Sequence, residues 1–160
     1  MVSKRAKLYG LRLHMTTSTD QVVDRWMLAP ASYYDATMAP ALLEDSCAGL
    51  FVIGDNAFHS PAASEWLKSQ RDITLWGMPR RYGRSAKAWE EWRDPAKVRV
   101  RRFLNRMRRR IETALSVLCG VFEIERAGSH SLAGLITRTA TRLLAYNLSF
   151  LVAPLLQTSI

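Results

Sequence analysis

Residues 51–61 read "FVIGDNAFHSP", and how this stretch is read decides the fold. Its first residues close "AGLFVIGD" (48–55), a short, unbroken apolar run with Val52 and Ile53, which suits a strand covered on both faces. Ser60 then supplies a helix N-cap and Pro61 a first helical residue, so "SPAASEWLKSQR" (60–71) begins a helix cleanly. A strand that runs almost directly into a helix is half of a crossover unit, and it points to an α/β chain. Asp55 lies at the carboxyl end of the strand, the edge where open α/β sheets collect ligands. A strand-end turn or a helix-capping role also accounts for a lone carboxylate there.

The flanking segments fit the same class. In "LYGLRLHMTT" (8–17), Leu11, Leu13 and Met15 alternate with Arg12, His14 and Thr16, the pattern of a half-buried strand with a polar outer face. "VVDRWMLAPAS" reads as a second strand closed by Pro30, and a short turn joins the two as a hairpin. "YDATMAPALLEDS" (34–46) is helical, weakened by Pro40. "ITLWGMP" (73–79) is another buried strand, stopped by Pro79. A basic stretch over 80–100 reads as a loop with a short helix at 85–93. From 101 to 125 the apolar positions Phe103, Leu104, Met107, Ile111, Ala114, Leu115, Leu118 and Phe122 recur in steps of three and four, which marks a long amphipathic helix. A last, largely apolar helix covers 131–152. The expected fold is a single α/β domain, a mixed sheet packed by helices, with residues 1–79 as the sheet-forming core and a helical C-terminal tail.

Glu112 falls in the middle of the long helix. At helical spacing its neighbours are Arg108, Arg109, Ser116 and Cys119, while Ile111 and Leu115 turn toward the core stripe. That places Glu112 at the border of the buried face. Two carboxylates, one from a strand end and one from a packed helix, form a donor set suited to magnesium, which takes few carboxylates and completes its shell with waters and phosphate oxygens. Taken alone, a Glu beside an Arg on a helix is a surface ion pair of small worth.

Five segments, in order, resemble the DDE transposases of bacterial insertion sequences. "GDNAFHSP" is similar to the segment around the family's second acid, and "RRRIETALSVL" to the Arg-x3-Glu segment around its third. "YGLRLHMTTS", "LAPASYYD" and "RAGSHSLAGLITRTATRLLAYNL" match further family segments, so the resemblance spans roughly 8–152. It implies a ribonuclease-H-like fold and metal-dependent DNA cleavage and strand transfer, with magnesium or manganese as the cofactor and no small-molecule cofactor. Asp55 and Glu112 would be metal-binding catalytic acids, and Arg108 the motif arginine. Transposon ends and target DNA would be the partners, and a homo-oligomer the working form. Three positions depart from the family pattern: Cys119 stands for a lysine, Asn105 for a tyrosine and Tyr34 for a histidine. The family's first acid lies on a strand before the one that contains Tyr9. Residues 1–8, "MVSKRAKL", hold no carboxylate, so that strand and acid are expected to be missing and the chain alone to be impaired in catalysis.

The formal net charge is +9, which favours a polyanionic partner, nucleic acid or an anionic membrane surface. Lys97, Arg99, Arg101, Arg102, Arg106, Arg109 and Arg110 follow Arg80, Arg81 and Arg84, and all ten are candidates for phosphate contact. Trp76, Trp89 and Trp92 interleave with them, as base-stacking or as core residues. The stretch 143–160 carries no charge, but Pro154 interrupts it and it reads as a buried helix rather than a membrane span. A basic membrane-surface protein and a non-catalytic DNA-binding or assembly remnant are the alternative functions. Cys47 and Cys119 have no redox or metal spacing, consistent with a cytoplasmic setting. His14, His59 and His130 are scattered, and only His59 falls near Asp55.

Overall fold

The computed structural model describes residues 10–58, 60–77, 79, 86–126 and 128–157. Their elements run β1 (Leu11–Thr17), β2 (Val23–Pro30), α1 (Asp35–Leu43), β3 (Phe51–Gly54), α2 (Pro61–Arg71), β4 (Thr74–Gly77), α3 (Ala86–Arg93), α4 (Val98–Gly120) and α5 (Leu132–Gln157). The fold is α/β. Where a single mixed sheet was expected, the described strands form two sheets of two, β1 with β2 and β3 with β4. The chain divides into two compact units: Met1–Met15 with Arg25–Arg108, and Thr16–Asp24 with Arg109–Ile160.

In the first unit β3 and β4 are parallel, with Phe51 opposite Thr74 and Gly54 opposite Gly77. Successive side chains alternate between faces. One face therefore carries Val52 and Leu75, which join Ala39, Leu43, Leu67, Ile73 and Phe58 in one apolar cluster with α1 and α2. The other face carries Ile53 and Trp76, and Trp76 packs on Trp92 of α3 at a ring-centroid distance of 4.9 Å. The expectation that β3 is covered on both faces fails at its start, where Phe51 is 56% exposed. The Trp92 contact is made at Trp76, the partner of Ile53, and does not extend to Phe51.

Local chemistry sets the ends of α2. The Ser60 hydroxyl accepts from the Ala63 amide at 3.3 Å, and Pro61 takes the first turn. Asp72 ends the helix at φ 52°, with its amide directed to the Leu67 and Lys68 carbonyls. This is a left-handed C-terminal cap made by a residue that tolerates that conformation. The next residue, Ile73, is fully buried, so the chain turns directly from helix end into core.

In the second unit α5 holds the hairpin turn through side chains. Asn147 accepts from the Val23 amide at 2.8 Å and donates to the Val23 carbonyl at 2.8 Å. The Tyr146 hydroxyl donates to the Gln21 carbonyl at 3.0 Å, while its ring meets Phe122 and Phe150 edge-on. Arg142 donates to the carbonyls of Glu123 and Arg126 and Arg138 to that of Gly128. Two arginines of α5 thus pin the backbone that joins it to α4.

The helices differ from expectation at their ends. α4 starts at Val98 rather than 101, because Asp94 and Pro95 begin a 3-10 turn that feeds straight into it, with Asp94 accepting from the Ala96 amide at 2.9 Å. It ends at Gly120, and α5 runs on to Gln157. Within the basic stretch the short helix expected at 85–93 is α3, Ala86–Arg93. Among the described residues no helix is long and apolar enough to cross a membrane.

Candidate functional site

Asp55 follows the last residue of β3 and is exposed. Its carboxylate oxygen Oδ1 accepts from the Ala57 amide at 2.8 Å, and its carbonyl accepts from the Phe58 amide at 3.2 Å. These two bonds fold residues 56–58 into a single 3-10 turn. A β-carbon at Gly54 would lie 2.7 Å from the Phe58 β-carbon, so only glycine lets the turn close this tightly behind the carboxylate. Asp55 therefore does serve as a turn residue. A carboxylate offers about four acceptor positions, so one amide bond leaves it able to bind a cation.

Glu112 lies in the half of α4 that belongs to the second unit, and it too is exposed. The expected border position does not hold. The buried line of α4 is Leu104, Ala114 and Leu118, whereas Leu115 is partly exposed. At 100° per residue Glu112 stands about 120° from Leu118. Arg108, one turn earlier, is half-buried, and Arg109 is exposed. Asp55 and Glu112 are thus surface carboxylates, each on a well-defined element of its own unit. Both are hard oxygen donors of the kind a divalent cation takes. Among the described residues no group of three or more His, Cys, Asp or Glu side chains is arranged to hold a metal.

The basic residues divide by task. Arg101 donates to the Trp92 carbonyl at 3.0 Å, tying α4 to α3. Arg110 donates to the Thr19 carbonyl, within the second unit. These two serve the fold, whereas Lys97, Arg99, Arg102, Arg106 and Arg109 are exposed. Arg80, Arg81, Arg84 and His59 lie outside the described residues. Among the tryptophans, Trp92 is buried against Trp76 and Trp89 is half-buried, which makes them anchors of α3 rather than free stacking surfaces.

A third group does not follow from strand alternation. His14, assigned to the polar outer face of β1, is 4% exposed. Asp35, the first residue of α1, takes a 2.7 Å bond from Arg12, and its Oδ1 stands 3.7 Å from His14 Nδ1. Burial lowers the His14 pKa below its usual 6.5, Asp35 opposes that shift and Arg12 adds to it. The Nε2 atom is buried without a hydrogen-bond partner among the described residues. The neutral ring is therefore the form this fold holds, as packing and not as a ligand.

The described α/β chain thus carries an exposed carboxylate at a strand end, a second on a long helix and a run of exposed cations along that helix. The family described as "Transposase DDE domain" matches residues 2–148. That is most of the chain, which accordingly belongs to the DDE transposase family. No curated protein and no solved structure matches it.

Proposed function

We propose that this chain is a ribonuclease-H-like transposase domain acting in metal-dependent DNA cleavage and strand transfer, with Asp55 and Glu112 as its metal-binding acids. The observation that carries the reading is the setting of Asp55: an exposed carboxylate fixed by its own turn at the carboxyl end of β3, inside a segment similar to that around the family's second acid. A pair of divalent cations, magnesium or manganese, supplies activation of a water or 3′-hydroxyl and stabilisation of the leaving oxygen. Asp55 and Glu112 supply anionic oxygens for those cations, and Arg108, a turn before Glu112, orients that carboxylate or a phosphate. Lys97, Arg99, Arg102, Arg106 and Arg109 hold the DNA backbone by charge, without sequence information. The motif segments contribute two acids, and the reading requires that this chain bind both DNA and cation.

Self-association belongs to the same proposal. Leu144, Leu148 and Leu151 are all exposed on α5, at the alternating four- and three-residue spacing of a helix-pairing seam. Residues 143–157 carry no charge that would repel a second copy.

Two measurements on the full chain test the reading. Asp55→Ala should abolish cation binding in a manganese titration while leaving duplex affinity within about twofold. The affinity of the unmodified chain should fall with salt at a log–log slope of about −4 to −5 if all five outward cations meet phosphates. A flat salt response refutes the DNA interface. Undiminished manganese binding by Asp55→Ala removes Asp55 from the metal site and favours a non-catalytic DNA-binding role, since the arginine face does not depend on that acid.

A further inference from the structure

Phe103 is out of place by its chemistry. The three- and four-residue spacing of α4 assigns it to the core, yet it is 55% exposed while its neighbour Leu104 is buried. Arg99 and Arg106 lie four residues before and three after it, one helical turn to either side on the same face, and Arg102 is adjacent. All three arginines are exposed. No acidic residue occurs from Lys97 to Ile111. The face is therefore an aromatic ring framed by cations along about 10 Å of helix.

We infer that this face selects nucleic acid whose base faces are accessible, such as gapped, mismatched or single-stranded DNA, with Phe103 stacking on a base and Arg99, Arg102 and Arg106 holding the phosphates on either side. The inference rests on the proposed DNA interface and adds the form of DNA it prefers. Two properties decide the partner. The cations complement a dense run of phosphates, and the ring needs a flat apolar surface within reach of those same phosphates, which an unpaired base provides and an intact duplex hides. A lipid surface needs a broad apolar face. Here the exposed apolar side chains next to the arginines are Phe103 and, a turn earlier, Val100.

The test is equilibrium binding of the full chain to an intact duplex, to the same duplex with a central three-base mismatch, and to one of its strands. The unmodified chain should bind the mismatched duplex roughly 5- to 150-fold tighter than the intact one, the range that stacking of a single base confers. Phe103→Leu keeps an apolar helix former but removes the ring, and it should erase that preference while leaving the intact duplex within about twofold. Phe103→Tyr should retain it. A 2-aminopurine placed in the mismatch should be quenched by the unmodified chain and by Phe103→Tyr, but not by Phe103→Leu. The inference is overturned if there is no preference, if Phe103→Leu keeps it, or if Phe103→Leu weakens all three DNAs alike, the mark of a purely structural ring. Salt-dependent duplex binding without a mismatch preference overturns only this inference. Loss of all DNA binding, with Phe103-dependent flotation on phosphatidylserine vesicles, overturns the DNA interface as well.

Discussion

Around β3 and β4 the first unit is held by apolar contact. Ala39, Leu43, Leu67, Ile73 and Leu75 form one buried cluster with Val52 and Phe58 packed against it. In the second unit the helix–turn junctions are polar: Tyr146 and Asn147 bond to the backbone of the hairpin turn, and Arg138 and Arg142 to the backbone after α4. Apolar packing is non-directional and scales with area, so the first unit tolerates small shifts of its helices. Bonds from one side chain to both the amide and the carbonyl of a single residue fix register, so the second unit is specified by position more than by area. The carboxylate at 55 belongs to the first unit and the carboxylate at 112 to the second.

The sharpest way to break this contrast is Leu67→Ala. Leu67 is fully buried at the centre of the cluster, so truncation should cost about 2–5 kcal/mol. A urea titration with amide exchange should show protection lost first at the β3 and β4 amides. Asn147→Leu tests the other side. It removes two bonds and leaves the Val23 amide and carbonyl without that partner, at a cost of about 2 kcal/mol. Exchange at Val23 should accelerate by more than tenfold with little change at β3. If Asn147→Leu were neutral, the second unit would be held by its apolar contacts too, and the contrast would fail.

His14 provides the smallest and most pointed test, because it is a polar group inside the apolar unit. Its folded-state pKa lies below 6.5, so between the two values the unfolded chain binds more protons. Stability then rises with pH in that window. It is complete above about pH 6.5 and falls as pH drops through that value toward the lower folded-state pKa. His14→Leu should flatten the denaturation midpoint between about pH 5 and about pH 7, the span in which an imidazole titrates. A slope unchanged in His14→Leu would assign the acid sensitivity to other groups.

What could be read in advance depends on how far the deciding interaction lies along the chain. β3, the Asp55 turn and the start of α2 are governed by residues a few places apart, and Gly54, Asp55, Ser60 and Pro61 announce them. The pairing of Phe51 with Thr74 is a distant event that no local pattern specifies. Alternation puts His14 on the outer face because it assigns a face by polarity, whereas the Arg12–Asp35 ion pair gives the buried ring a polar neighbour. Phe103 and Leu104 both satisfy three- and four-residue spacing, but adjacent residues point about 100° apart, and the core takes Leu104. The basic run is visible in the sequence. The commitment of Arg101 to the Trp92 carbonyl and of Arg110 to the Thr19 carbonyl depends on tertiary neighbours and is not.

The close approach of Gly54 to Phe58 has a consequence for how this gene would record its history. A larger residue at 54 collides with the Phe58 β-carbon, whatever the protein does, so any lineage that still needs the folded domain must keep glycine there. Asp55 is different: its exposed carboxylate gives the fold only a turn bond that asparagine or serine can make. Selection for folding alone would keep 54 and let 55 wander, whereas selection for phosphodiester chemistry would hold both. Two neighbouring codons thus act as separate clocks, one set by folding and the other by whatever chemistry the carboxylate serves.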